Sequence, residues 1–326
     1  MNEFEAIKHY FASLARSESG AFGLTDDAAV FSVPAGMELV VTKDAICEGV
    51  HFVGDEEPAL IAGKLLRVNL SDLAAMGAKP YGYFLALMLH DKADDAWLTS
   101  FAAGLKSEQE RLGITLMGGD TTHTKGVLSL SLTALGLVPR GQALRRAGAK
   151  AGDHVYVTGT IGDAALGLQV ASRKLLVSKE ADAYLLERYQ LPTPRVELGQ
   201  MLRGIATACI DISDGLMQDL GHIVESSGVG VTVAWEKIPL SDAAKAVLPQ
   251  MVNPYEAIVA GGDDYELLFT APETMHETLQ SAAREAKVAI THIGEITEGS
   301  HVKLTDKNGW DILLSKSGYD HFSVRR

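Results

Sequence analysis

Several short stretches of this 326-residue chain place carboxylates where chemistry could use them. Asp26-Asp27 lies in an early Gly/Thr/Asp loop, Asp44 follows Val40-Val41-Thr42, and Asp120 follows Met117-Gly118-Gly119. Asp211 and Asp214 flank Ser213 after Cys209-Ile210, and Asp263-Asp264 follows Gly261-Gly262. Strand ends and glycine turns concentrate binding residues, because a rigid element positions them and the loop leaves them accessible. Each alone also reads as a turn former or helix N-cap, as does Asp211-Ile212-Ser213-Asp214-Gly215 before a helix. Asp72 is the sharper case. Helical spacing puts it on one face with Leu65, Asn69 and Met76, where an unpaired carboxylate is costly, so a positive partner is required: Arg67, Lys64 or a cation. Clustered carboxylates without His or Cys beside them are hard oxygen ligands suited to Mg²⁺ rather than zinc. Mg²⁺ held this way usually serves substrate phosphates, and a nucleoside triphosphate would be repelled by so acidic a pocket unless several ions intervened.

The elements that must hold these residues are legible in outline. Phe4, Ile7, Phe11 and Leu14 predict an amphipathic helix, and Met37–Thr42 predicts a strand ending at Lys43-Asp44. A helix starts at Pro58 and stops at Gly77, with Pro80 beyond. Leu128, Leu130 and Leu132 alternate with Ser129, Ser131 and Thr133 as a half-buried strand. Thr121–Gly152 has no acidic residue but carries Lys125, Arg140, Arg145, Arg146 and Lys150. Glycines punctuate its second half, which places a domain boundary near 140–152. The segment is either a solvated linker or a phosphate contact through bidentate guanidinium hydrogen bonds. Strands at 155–158 and 208–212 then alternate with helices at 163–170 and 216–226, an α/β or α+β pattern.

Composition narrows the function further. Lys+Arg 29 against Asp+Glu 42 gives a net charge of −13, which disfavours nucleic-acid and anionic-membrane partners. Cys47 and Cys209 sit in no CxxC or Cys/His cluster and read as buried free thiols. Glu3 and Glu5 stand where a signal peptide would be basic, and no apolar run is long enough to span a membrane, so a cytoplasmic chain is expected. Neither GxxxxGK[ST] nor a strand-linked GxGxxG occurs.

The motifs together resemble the thiamine-monophosphate kinase family, within the aminoimidazole ribonucleotide synthetase superfamily. The matching stretches are TDDAAV (25–30), DAICEGVHF (44–52), VNLSDLAAMGAKP (68–80), GGDTT (118–122) and RRAGAKAGDHVYVTGTIGDAALGL (145–168). PTPR (192–195), IDISDGLMQDLGHI (210–223), GGDDYELLFT (261–270) and GYDHF (318–322) continue the match almost end to end. The resemblance implies Mg²⁺ ligands at Asp27, Thr42, Asp44, Asp72, Asp120, Asp211 and Asp214. It implies ATP contacts at Gly119, Asp120, Arg146 and Ser213, and thiamine phosphate near His51, Asp263 and Tyr319, with Trp310 an alternative to the last. From the residues alone, His51 reads first as a packing or hydrogen-bonding histidine and Tyr319 as a core-packing aromatic. Two departures stand out: Gly23-Leu24-Thr25-Asp26-Asp27 replaces the family's usual GIGDD, and Lys43 replaces a frequent Thr.

The same resemblance implies a two-domain α/β (α+β) synthetase-like fold. Residues 1–145 would bind ATP and Mg²⁺ and pair across a homodimer, and residues 146–326 would form a C-terminal α/β domain. The activity implied is in-line transfer of the ATP γ-phosphoryl group to thiamine monophosphate, giving thiamine diphosphate and ADP with no general base. A selenophosphate synthetase-like sister activity and a non-enzymatic Mg-nucleotide-binding protein are the alternatives; no Cys precedes Cys47, and the chain ends Ser323-Val324-Arg325-Arg326, without the C-terminal cysteine of the hydrogenase-maturation branch.

Overall fold

The computed structural model describes residues 3–15 and 20–319, and it divides into two compact units. Unit 1 comprises residues 1–73 and 78–141; unit 2 comprises 74–77 and 142–326.

Unit 1 begins with a short helix α1 (Glu3–Ala6), which runs on as a π turn and a 3₁₀ turn that bury Phe11 and Leu14. Its sheet has the order β1 (Met37–Cys47), β4 (Ser129–Pro139), β2 (Lys79–Leu89) and β3 (Leu116–His123). The first two pairings are antiparallel and the last is parallel. Two helices, α2 (Pro58–Ala75) and α3 (Asp95–Leu112), supply Leu65, Leu66, Leu70, Phe101 and Leu105 to the core, all fully buried. They approach closely at Gly104, where a Cβ would stand 2.5 Å from the Ala59 carbonyl oxygen. Gly113, left-handed at φ 68°, ends α3 at its C-cap.

β1 is longer than its sequence pattern predicts. It pairs with β4 without interruption from Met37↔Pro139 to Cys47↔Ser129. Asp44 therefore sits inside a strand, opposite Leu132, rather than at its end. Asp120 likewise lies within β3, beside Ala86 of β2. Cross-strand hydrogen bonding from a distant segment overrides the local signal that a charged residue ends a strand.

Unit 2 contains β5 (Asp153–Thr158), α4 (Asp163–Ala171), α5 (Lys179–Gln190), α6 (Val196–Met201), β6 (Ala208–Asp211), α7 (Leu216–Ser227) and β7 (Gly230–Ala234). It continues with α8 (Asp242–Val247), α9 (Pro254–Val259), β8 (Leu267–Pro272), α10 (His276–Ala286), β9 (Ile290–Thr297) and β10 (Val302–Thr305). The sheet order is β10-β7-β9-β5-β8-β6. Both faces are covered, which explains the unbroken apolar runs of these strands. On one side Val155, Val157, Ile210 and Leu268 pack with Leu166 of α4 and Leu216, Leu220 and Ile223 of α7. On the other, Tyr156, Cys209 and Phe269 pack with Leu198 of α6 and Leu279 of α10. Cys209 is buried and free, and Cys47 is free and partly exposed. No helix among the described residues is long and apolar enough to cross a membrane.

Candidate active site

Within unit 1 the expected residues form two groups. In the first, β1 and α2 meet: Thr42 and Asp44, two apart on one face of β1, point at Asp72, and the Thr42 hydroxyl donates to Asp72 Oδ2. The Asp44 amide donates to Asn69 Oδ1 at 3.1 Å, and Ser131 Oγ donates to the Asp44 carbonyl at 3.2 Å. Asn69 is itself fixed by donating Nδ2 to the Leu65 carbonyl at 2.9 Å. Burial, the Asp72 charge and a hydrogen bond to that carboxyl push Asp44 up to about 6. Two carboxyl groups held this close repel as anions, so the pair fits a hard divalent cation through its oxygen donors. Of the two cations near Asp72 in sequence, Arg67 grips Glu108 bidentately at 2.9 and 2.7 Å, and Lys64 donates to the His51 carbonyl at 2.8 Å.

The second group lines a cleft of about 1110 Å³ in unit 1, where Asp26, Asp27, Lys43, Gly119, Asp120 and Thr121 come together. Asp27, Gly119 and Asp120 are exposed there. Lys43, opposite in orientation to its neighbours Thr42 and Asp44, reaches into this cleft and donates to Thr133 Oγ1 at 3.5 Å. Gly119 is required by space: a Cβ would stand 2.0 Å from the Leu85 carbonyl oxygen of the neighbouring strand. His51 accepts the Cys47 amide on Nδ1 at 3.1 Å, which puts the proton of its neutral ring on Nε2 as a donor.

In unit 2, three chain segments converge at the C-terminal end of β6. Asp211 is buried at the strand's last position, and Ser213, Asp214 and Gly215 turn into α7. The amides of all three turn residues donate to one oxygen, Asp219 Oδ2, at 3.0, 3.1 and 3.1 Å. Burial and the neighbouring Asp214 charge outweigh these bonds and push Asp219 up to about 7. The Gly261–Glu266 turn docks alongside, with the Asp263 amide donating to the Ser213 carbonyl and the Tyr265 amide to the Ile212 carbonyl, each at 2.8 Å. Asp263 and Tyr265 both adopt positive φ, 65° and 51°, a strained choice for residues bearing a Cβ and one common at binding sites. The third segment is the C-terminal strap, where the Tyr319 amide donates to the Asp214 carbonyl at 2.9 Å and Gln218 Nε2 donates to the Tyr319 carbonyl at 3.0 Å. Asp211, Ser213, Asp214, Asp263 and Tyr319 are thus brought together. Trp310 is tied elsewhere, its amide donating to Asp306 Oδ1 at 2.9 Å. Arg146 is exposed beside β6, its carbonyl accepting from Ser227 Oγ at 3.4 Å. His321 and Phe322 of the GYDHF stretch lie outside the described residues.

Beneath this turn lies a charged cluster to which the sequence reading assigned no role. Glu266 is fully buried and receives four donors: Arg188 Nη2 at 2.8 Å and Arg195 Nη2 at 2.6 Å on Oε1, Arg195 Nε at 2.6 Å and Thr158 Oγ1 at 2.6 Å on Oε2. Burial alone would raise its pKa, but the Arg195 hydrogen bonds and the two guanidinium charges hold it below the usual carboxylate value. Asp264, also buried, accepts the Gly162 amide at 2.8 Å, and burial keeps its carboxyl well above the ordinary range. The signal available in the sequence was only the Glu of GGDDYE and the Arg of PTPR.

Residues 25–138 match the AIR synthase related protein N-terminal domain, and residues 150–307 match the AIR synthase related protein C-terminal domain. Among curated relatives, the thiamine-monophosphate kinase of Salmonella typhimurium is 43% identical over 327 residues, covering 99% of this chain and 98% of the relative. The crystal structure of thiamine-monophosphate kinase from Stenotrophomonas maltophilia K279a is 40% identical, with a TM-score of 0.81 over 89% of this chain and 91% of that one. AaThiL complexed with AMPPCP and TMP is 29% identical, with a TM-score of 0.77 over 94% of this chain and 98% of that one. On this likeness the chain belongs to the AIR synthase related family, in its thiamine-monophosphate kinase branch.

Proposed function

We propose that this protein transfers the γ-phosphoryl group of ATP to thiamine monophosphate, releasing thiamine diphosphate and ADP, with Mg²⁺ as the metal. The observation that carries the reading is the 43% identity to thiamine-monophosphate kinases along essentially the whole chain. The relative complexed with AMPPCP and TMP supports the substrate pair, AMPPCP standing in for ATP with a methylene in place of the oxygen that joins the terminal phosphates.

The residues suit this chemistry. The attacking oxygen belongs to a phosphate with a second pKa of about 6, so it is largely deprotonated at neutral pH and needs no side chain to take its proton. That accounts for a site rich in carboxylates. What opposes the reaction is repulsion between two polyanions, and Mg²⁺ would supply charge neutralisation and in-line alignment. Thr42, Asp44, Asp72, Asp27 and Asp120 of unit 1, and Asp211 and Asp214 of unit 2, would hold the ions through oxygen atoms. Arg146 would bind phosphate oxygens by its guanidinium fork, and Gly119 and Ser213 would contact the nucleotide closely. His51 would offer its Nε2–H to the substrate, Asp263 would orient it, and Tyr319 would cover the cationic thiazolium or the pyrimidine with its ring.

In domain terms, residues 1–145 would bind ATP and Mg²⁺ and 146–326 would form the C-terminal α/β domain, bounds near those of the two compact units, which divide at 141/142 and give 74–77 to unit 2. A homodimer through unit 1 is supported by the family resemblance, and a cytoplasmic location by the substrates. The test is direct. Purified protein with Mg²⁺, ATP and thiamine monophosphate should form thiamine diphosphate and ADP in equal amounts, followed by chromatography; ADP release indifferent to thiamine monophosphate would overturn the assignment. Sedimentation at micromolar concentration tests the dimer.

A further inference from the structure

We propose that His154, His292 and Glu295 of unit 2 form a binding site for one divalent transition-metal ion of the zinc class, separate from the carboxylate sites. The site is built by a β-bulge. Along β5 and β9 the register runs His154↔Glu295, Val155↔Gly294, and then skips to Tyr156↔His292, leaving Ile293 as the extra residue. In a regular strand residues three apart point to opposite faces. The bulge instead puts His292 and Glu295 on the face of His154 and Tyr156, while Ile293 and Ile296 enter the core on the other face.

One ligand atom from each of the three residues lies within 4.8 Å of the others. The two imidazoles stack with centroids 4.1 Å apart and planes at 9°. His292 Nε2 stands 2.9 Å from the Gly294 carbonyl, an acceptor only, so the ring proton sits on Nε2 and the Nδ1 lone pair is the donor to a metal. His154 Nδ1 lies 3.4 Å from the Tyr156 hydroxyl, which lies equally 3.4 Å from His276 Nδ1, leaving His154 Nε2 as its outward nitrogen. Imidazoles whose second nitrogen is held by a carbonyl or hydroxyl are the arrangement that metal-ligating histidines show. Two nitrogens and one carboxylate favour zinc-class ions over Mg²⁺, with the remaining position left to water. Metal–ligand bonds of about 2.0–2.1 Å need ligand atoms about 3.3 Å apart in a tetrahedron, and parallel ring planes do not converge on one point, so binding requires the partly exposed His154 ring to turn out of the stack and the exposed Glu295 to swing in, while His292 keeps its bond to the Gly294 carbonyl.

Topology separates this site from the kinase residues of unit 2. β5 and β6 both run antiparallel to β8, hence in the same direction. His154 is at the start of β5 and Asp211 at the end of β6, so they lie at opposite ends of the sheet.

The experiment titrates the full chain with Co²⁺ in excess Mg²⁺, which fills the carboxylate sites, and reads the visible absorption of low-coordinate Co²⁺. One equivalent should bind and be displaced by one equivalent of Zn²⁺. His154→Ala and His292→Ala should weaken binding by about tenfold or more and Glu295→Gln by less, with kinase activity in Mg·ATP kept in all three. Circular dichroism checks that the variants fold, and Glu295→Gln, altered only at an exposed position, serves if a histidine variant does not. Absence of a Zn²⁺-displaceable Co²⁺ signal, or unchanged affinity in folded variants, would overturn the site whatever the kinase assay shows.

Discussion

Replacing Glu266 by Gln tests whether the buried charge cluster holds unit 2 together. In the wild type four donors converge on two carboxylate oxygens, three of them guanidinium N–H groups. Glutamine keeps the shape but offers one oxygen, so its amide N–H₂ must face two donors. Losing an acceptor costs a charged buried donor about 1.5–3 kcal/mol, giving about 3–6 kcal/mol for two. Breaking a buried ion pair from one side independently suggests about 3–5 kcal/mol. Arg188 and Arg195 are only 12% and 16% exposed in their side chains, so water offers little relief. For a unit of this size, about 2–4 °C of melting temperature is lost per kcal/mol, so the transition containing unit 2 should fall by about 6–20 °C. Differential scanning calorimetry at pH 7 measures this. The double replacement Glu266→Leu and Arg195→Met should recover part of the loss, because it removes Arg195 together with its acceptor and leaves Arg188 the Asp163 carboxylate 3.8 Å away. A fall below about 2 °C in Glu266→Gln, or a double variant no better than the single one, would refute the reasoning.

Three further outcomes follow from the same geometry. Glu266 and Glu108 have folded pKa values below their ordinary 4.5, so the stability they supply is present above that pH and lost as pH falls through the folded values. Melting temperature should therefore decline from about pH 4.5 downward, and the decline should be shallower in Glu266→Gln; parallel profiles would contradict the assignment. Asp72→Asn and Asp120→Asn should abolish thiamine diphosphate formation while leaving the circular dichroism unchanged, and wild-type rates in both would sink the ligand assignment. Asp219→Ala removes the acceptor of three turn amides, which should lower stability by about 1–3 kcal/mol and slow turnover at least tenfold, whereas Asp219→Asn, which keeps the acceptor, should retain much of both; equal behaviour of the two variants would rule out the clamp.

The motif residues were legible because each is a chemical group next to a local turn or helix signal. Asp72 is the clearest instance: helical spacing alone placed it in apolar surroundings, and the structure sets it against Thr42 and Asp44. What escaped the sequence depends on pairing between distant segments. Asp44 and Asp120 read as strand ends because a charge usually stops a strand, yet both lie within strands whose neighbours are far away in the chain. Asp219 has the look of an ordinary first-turn helix carboxylate, and only the fold of the turn above it reveals three amides aimed at one oxygen. Glu266 meets Arg188 and Arg195 from 78 and 71 positions away, and no local pattern announces such a meeting. The β9 bulge defeats period-two reading in the same way, by moving one residue out of step.

The strap at Tyr319 has a consequence for how the protein comes to work. Tyr319 and Asp214 hold each other through the main chain, so the turn after β6 is braced by a residue synthesised more than a hundred positions after it. Domains tend to fold in order as the chain leaves the ribosome. Unit 1 can therefore mature early, but the brace on Asp214 forms only after residue 319 has emerged. A nascent chain would carry the Ser213–Gly215 turn for some time without that brace, and the emergence of residue 319 decides when the turn is held.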